Sequence, residues 1–358
     1  MKLRFLIVVV CLASAMPPME SRAISSGDRM PLGPLGGRNV YAPHQPWFSF
    51  PAEMAAPFPV GTMRARTGLY YVNEFSTYPF EVDNEIPIDG LLTPERQEQL
   101  TAMDFESLIL ETGWDWQAVP EWRFSADWRL HVRYAGFLDD VIVWWHDILS
   151  LPNAGREYFS HHRSQWTIRG AGGDVIEGSG TVVSSGDLDL RSVWSFYNSP
   201  KLDLALETAF KIPLSHYGEG FSSSYPDIGT AFLADWHPWM RWAFYVNAGM
   251  ILPLGPQGRI MGQFIPVVEF RAARNLSLIL QANIQSSPIE GEEGDSYSHP
   301  VFGDTGMFLL PQTDIKLGIR GRSGRLGWQF FIEEDPLTWE GPDILVYFGG
   351  EWTLNTNP

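Results

Sequence analysis

The chain has 358 residues, with 25 Lys and Arg against 42 Asp and Glu, a formal net charge of −17. So acidic a chain is unsuited to wrapping nucleic acid, because neutralising phosphates needs clustered bases. Aromatics reach 14% and charged residues only 19%, the reverse of a disordered chain, and the length fits one large β domain or two ordinary ones.

Lys2 and Arg4 precede the apolar run Phe5 to Ala13 (FLIVVVCLA), which is too short to span a bilayer as a helix. Small-x-small sites follow at Ala13-Ser14-Ala15 and Ser21-Arg22-Ala23. This is the layout of a secretory signal peptide over residues 1–23, with cleavage expected after Ala23. Val10 stands where a lipoprotein would carry a small residue before Cys11. Cys11 is the only cysteine, so the mature chain has none, and disulfides and cysteine zinc sites are excluded. Residues 24–62, rich in Pro and Gly, read as an irregular periplasmic segment or partial plug.

From residue 63 the pattern is alternation. In Trp122 to Ala135 (WRFSADWRLHVRYA), Trp122, Phe124, Ala126, Trp128, Leu130, Val132 and Tyr134 share one face. Polar residues fill the other, the signature of a long half-apolar strand. The same template predicts twelve strands: 63–75, 104–116, 122–135, 187–196, 202–214, 228–236, 239–253, 260–271, 276–285, 312–321, 326–334 and 343–353. A tail, 354–358, follows. No later segment has 18 continuous apolar residues, so no transmembrane helix is expected.

Period two does not say which face is outside. Connection length and aromatic placement do. Links after the odd-numbered strands have 28, 51, 13, 6, 26 and 8 residues; those after the even-numbered ones have 5, 5, 2, 4 and 4. Short turns on one rim and longer loops on the other characterise outer-membrane barrels, whereas a soluble secreted β-sandwich binding module has no reason to sort loops by parity. Trp114, Trp116, Trp122, Trp194, Trp236, Trp242, Trp328 and Trp352 collect on apolar faces at the short-turn rim. Trp favours the lipid–water interface, so these eight are expected to form a membrane-interface girdle. The predicted fold is therefore an all-β, transmembrane, antiparallel up-and-down barrel of about 12 strands over residues 63–353, set in the outer membrane. In the longest loop, residues 137–151 place Leu138, Val141, Ile142, Trp145, Ile148 and Leu149 near helical spacing, which predicts a short amphipathic helix.

Several motifs resemble an uncharacterised bacterial family, a domain of unknown function with barrel-like patterning. They are Gly33, Pro34, Leu35, Arg38, Asn39 and Pro43 near the start, and Gly136 to Asp139, His146-Asp147, Leu151-Pro152-Asn153 and Gly155-Arg156-Glu157 in the middle. Glu334-Asp335 and Pro342-Asp343 to Trp352 lie near the end. The resemblance implies an outer-membrane barrel and brings no catalytic residues. Many barrels end on the aromatic residue that the assembly machinery reads; here Thr353 to Pro358 follow Trp352.

The inferred lumen face carries eleven bases (Arg64, Arg66, Arg123, Arg129, Arg133, Arg191, Lys211, Arg241, Arg271, Lys316, Arg320). It carries fifteen acids (Glu74, Glu111, Asp115, Asp127, Asp187, Asp189, Asp203, Glu207, Asp227, Asp235, Glu269, Asp314, Glu333, Asp343, Glu351). So balanced a wall favours cross-strand pairing over a pore of one sign. Arg123, Arg129, His131 and Arg133 form a locally basic strand that is a candidate anion or lipid-headgroup site, or a structural ladder with facing acids. Ser160, His161 and His162, with His131 and His146, raise a barrel-embedded hydrolase acting on lipid or peptide, but no G-x-S-x-G or H-E-x-x-H occurs. Glu290, Glu292, Glu293 and Asp295 read as a solvated acidic loop. No metal site or cofactor is expected. The expected function is a pore, transporter or surface-structural protein of unknown small-solute or lipid cargo, with outer-membrane lipid and the assembly machinery as partners and no nucleic acid.

Overall fold

In the computed structural model, the described residues are 31–77, 101–149, 159–169, 175–216, 220–256, 258–288, 296–299, 303–306, 311–335 and 344–355. The signal segment, Glu290 to Asp295, Asp343 and the motif residues at 151–157 and 342–343 lie outside them, as does the His146 side chain.

Sixteen strands and one helix are described. The barrel wall is β1 (Met63–Thr77), β2 (Thr101–Val119), β3 (Trp122–Tyr134), β6 (Val182–Asn198), β7 (Leu202–Ile212), β8 (Asp227–Trp239), β9 (Trp242–Pro253), β10 (Met261–Ala273), β11 (Leu276–Gln285), β14 (Gln312–Ser323), β15 (Leu326–Glu334) and β16 (Ile344–Asn355). Each is antiparallel to the next, and β1 pairs with both β2 and β16, which closes the cylinder. Closure leaves no wall edge with unpaired backbone groups. The twelve wall strands are the twelve predicted ones, within a few residues at most ends. β10 keeps Pro266 inside it: the ladder to β9 continues through Pro266↔Val246, while that to β11 skips residues 265 and 266, where proline offers no N–H.

Two short hairpins were not predicted. β4 (Gln165–Arg169) and β5 (Val175–Ser179) extend the sheet beside β2, and β12 (Ser296–His299) pairs with β13 (Gly303–Gly306). The helix α1 (Asp139–Leu149) is where the helical spacing predicted it. Its acidic first turn, Asp139 and Asp140, suits the positive end of the helix dipole. Glu106 of β2 accepts the N–H groups of Phe137 and Leu138 just ahead of it.

The alternation settles which face is which. Outward positions such as Leu69, Phe210, Phe232, Leu280, Leu317 and Phe348 are exposed, while inward Arg129, Asp189, Glu207 and Asp314 are buried. Of the fifteen acids assigned inward, fourteen are described and all are buried. Arg241 is a correction: it sits exposed in the β8–β9 turn, because β9 begins at Trp242.

What buries the polar face is residues 31–62. This stretch has no strand or helix, yet nearly every residue from Leu32 to Ala56 is buried. It runs inside the barrel and back. Leu32 lies by Glu269 near the short-turn end of β10, and Asn39 reaches Gln285 and Gln312 at the long-loop ends of β11 and β14. A tight turn follows, with the N–H groups of His44 and Trp47 donating to the Tyr41 and His44 carbonyls. The chain then descends past Asp227 and Asn247 to Asp235 and Gln117 at the short-turn end, where β1 begins.

Candidate functional site in the barrel lumen

An irregular chain must find partners for its backbone N–H groups without a ladder. Here the wall supplies side-chain acceptors. Glu269 takes the N–H of Leu32 and Gly33 at 2.9 and 3.1 Å, Gln281 that of Leu35 at 3.1 Å and Gln329 that of Gly36 at 3.0 Å. Glu74 takes Ala42, Asp227 takes Phe48 at 2.8 Å and Gln263 takes Phe50 at 2.8 Å. Asn247 takes Glu53 at 2.7 Å, Asp235 takes Ala56 at 3.0 Å and Gln117 takes Phe58 at 3.0 Å. Direct backbone-to-backbone bonds between segment and barrel are few among the described residues: Ser223 N–H to the Pro46 carbonyl, and the Gly61–Thr62 pairing with Gln117 where β1 starts.

Two charged residues of the segment lock into the wall. The Arg38 guanidinium lies 2.7 Å from Asp189, 2.9 Å from Asp127 and 3.6 Å from Glu111, and also donates to the Ser49 carbonyl at 3.1 Å. Glu53 lies 3.1 Å from Arg123 and 3.2 Å from Arg191. Asp127 is the hub: it also holds Arg66 at 2.7 Å and Arg191 at 2.9 Å. The network continues through Arg191–Glu207 at 2.8 Å, Arg66–Asp115 and Arg64–Asp115 at 2.9 Å, and Arg64–Glu351 at 3.3 Å. Such pairs are nearly or fully dry, so breaking one strands a buried charge. Gly113 faces Asp127 across the β2–β3 ladder, and a Cβ there would lie 2.1 Å from the Asp127 carboxylate. Only glycine leaves room for this hub.

The four residues of the basic strand are held apart by separate partners. Arg123 donates to the Met54 and Ala56 carbonyls and covers the Phe58 ring at 4.4 Å. Arg129 pairs with Asp189 at 3.2 Å. His131 is buried against Phe221, with ring centroids 5.2 Å apart. Arg133 sits in a cage of Phe105, Trp166 and Phe221, 4.2 to 5.0 Å from their ring centres, and donates to Gln45. The loop histidines tether the loop to α1: His161 Nδ1 lies 2.8 Å from Asp140, and Asp139 accepts the His162 N–H at 2.7 Å.

All eight rim tryptophans face outward at the short-turn end. Trp114, Trp116, Trp122, Trp236, Trp242 and Trp352 are exposed, while Trp194 is half-buried in a stack on Trp122 with centroids 6.1 Å apart. Trp328 occupies the space a side chain on Gly321, its partner on β14, would need. Trp239, outside the predicted set, joins them, 62% exposed. The segment anchors Arg38 and Glu53 were not among the predicted site residues. In the sequence Arg38 stands out only within the N-terminal motif, and the surplus of four acids on the inferred wall, read as near balance, is the signal that could have pointed to donors inside.

Residues 95–252 match a family described as "Protein of unknown function (DUF3187)". No curated protein matches the chain. Among solved structures, the chain is similar to an outer membrane channel from Pseudomonas putida F1, at 10% identity and a TM-score of 0.54, over 84% of this chain and 98% of that one. The NanC porin superposes more loosely, at 8% identity and a TM-score of 0.40, over 82% and 100%. The fold is that of outer-membrane channels, a closed barrel of twelve antiparallel strands.

Proposed function

We propose that this protein is an outer-membrane channel for a small solute or lipid whose lumen is closed at rest by its own N-terminal segment, residues 31–62. One observation carries the reading: the lumen is occupied by a segment held through side chains rather than by strand pairing, so it can move without breaking the wall. The exposed apolar exterior and the tryptophan rim support placement in a bilayer, with the short turns and both ends of the chain on the periplasmic side. Outer-membrane lipid and the assembly machinery are then its partners. Both loop imidazoles, His161 and His162, are occupied with tethering, which disfavours the hydrolase reading.

Planar-bilayer recording of the purified full chain tests this. Rare, discrete openings are expected, becoming frequent when the segment is unlocked by substitution of Arg38. A permanent seal in both proteins, or hydrolysis of the supporting lipid, overturns the proposal.

A further inference from the structure

The geometry points to a divalent-cation site of the zinc class at the short-turn rim of the lumen, formed by Asp203, Asp235 and His237. This goes beyond the channel reading and does not depend on it.

Asp203 of β7 stands directly opposite Asp235 of β8 in the ladder. Like charges in that position repel, and here both are buried, at 4% and 0% exposure. Other lumen carboxylates meet guanidinium or ammonium groups, three arginines in the case of Asp127, or amide and hydroxyl donors, as Glu269 does. Among the described residues, neither Asp203 nor Asp235 has a Lys or Arg ion pair. One oxygen of each, Oδ1, has no hydrogen-bond partner. Among the described residues, the basic group that meets the pair is His237, whose Nε2 lies 3.5 Å from Asp203 Oδ2 and whose Nδ1 is also unpartnered.

The backbone holds the three together. Asp235 and His237 are two residues apart on one strand and so share the lumen face. The His237 N–H donates to the Lys201 carbonyl at 2.8 Å, which fixes the strand end beside Asp203. One ligand atom from each residue lies within 4.8 Å of the other two. A cation between them would cancel the repulsion and satisfy the orphaned oxygens.

The donor set chooses the cation. Two carboxylate oxygens and one imidazole nitrogen suit zinc and its borderline neighbours, while calcium and magnesium favour all-oxygen shells. Three protein ligands leave a position for water. The second oxygen of Asp235 accepts the Ala56 N–H at 3.0 Å, so an ion held here also steadies the descending limb of the lumen segment.

The test is calorimetric titration of zinc into the full chain, stripped with EDTA, in detergent at pH 7.5. One saturable ion per chain is expected, not displaced by millimolar magnesium. Asp203→Asn and His237→Gln should each weaken binding by at least about 100-fold. Both variants should keep heat-modifiable migration, since each preserves shape and Asp203→Asn relieves repulsion. Zinc should raise the melting midpoint of the parent and leave the variants unmoved. Absence of saturable zinc binding, as expected if the two carboxylates merely share a proton, overturns the site. Full binding in an Asp203→Asn/His237→Gln double variant does the same. The readout is metal binding and not conductance, so this site and the channel reading fail separately.

Discussion

Arg38→Leu asks how firmly the lumen segment is held. The substitution removes the guanidinium that sits among Asp189, Asp127 and Glu111 at 2.7, 2.9 and 3.6 Å. Breaking a buried ion pair costs about 3–5 kcal/mol, most of it the penalty for the charge left behind. Two of the three acids keep partners: Asp189 retains Arg129, and Asp127 retains Arg66 and Arg191. Glu111 alone loses its ion pair. The cost therefore falls at the lower end, about 3 kcal/mol, and the docked-to-released ratio of the segment drops by about a hundredfold. Ser49→Cys provides a reporter, because Ser49 is buried in the segment and the only cysteine of the chain, Cys11, belongs to the expected signal peptide. Maleimide labelling of that cysteine should run about a hundredfold faster with Arg38→Leu, and open probability in planar bilayers should rise in step. Arg38→Lys should fall between, since an ammonium cannot fork across two carboxylates. Identical labelling rates and conductance in all three proteins would refute the reasoning.

Three further outcomes follow from single residues. Burial holds the His44 imidazole neutral, with its pKa down from 6.5 to about 3. The unfolded or released segment binds the proton that the docked one refuses, so docking is at full strength above pH 6.5 and weakens as pH falls toward 3. At about 1.4 kcal/mol per pH unit, roughly 2 kcal/mol is lost by pH 5. Labelling of Ser49→Cys should accelerate between pH 7.5 and 5, and His44→Gln should flatten that profile; a flat parent profile contradicts the cause given. Gly113→Val places a side chain onto the Asp127 carboxylate. It should cost about 1–3 kcal/mol and lower the temperature of heat-modified migration, and an unchanged temperature counts against the hub. Leu317 projects outward from mid-β14 and is 66% exposed. Leu317→Arg should weaken folding into lipid vesicles by about 2–4 kcal/mol, and equal folding would place that face outside the hydrocarbon.

The wall was legible because its cause is local. Alternation needs only neighbours two apart, and the parity of link lengths separated the rims. Where local signals broke, the reading stopped short. β6 starts five residues before its predicted start, because Ser184, Ser185 and Gly186 interrupt the apolar pattern where the β3–β6 register shifts. β4 and β5 have five residues each, too few to show a period. The lumen segment has no period at all. Its partners lie as far as 293 residues away, as with Gly36 and Gln329, and no spacing rule reaches across that distance.

The charge count carried a trace of the segment that the reading of a balanced, self-pairing wall passed over. A wall closed only by its own ion pairs should balance, yet the inferred lumen face held fifteen acids against eleven bases. The structure explains the surplus by function. Glu269, Asp235 and Glu74 accept backbone N–H groups of the segment, while Asp189 pairs with both Arg129 of the wall and Arg38 of the segment. The donors that match Glu269, Asp235 and Glu74 are amides, which composition does not count. A barrel that must hold an irregular chain needs acceptors in excess of its cations, and carboxylates supply two each without a donor to clash. The same logic isolates Asp203. It faces Asp235, whose one oxygen accepts the Ala56 N–H, and among the described residues no lysine or arginine pairs with it. Asp127, Asp189 and Glu269 are each matched by donors within the chain, and the Asp203–Asp235 pair is where the proposed cation from outside the chain would complete the match.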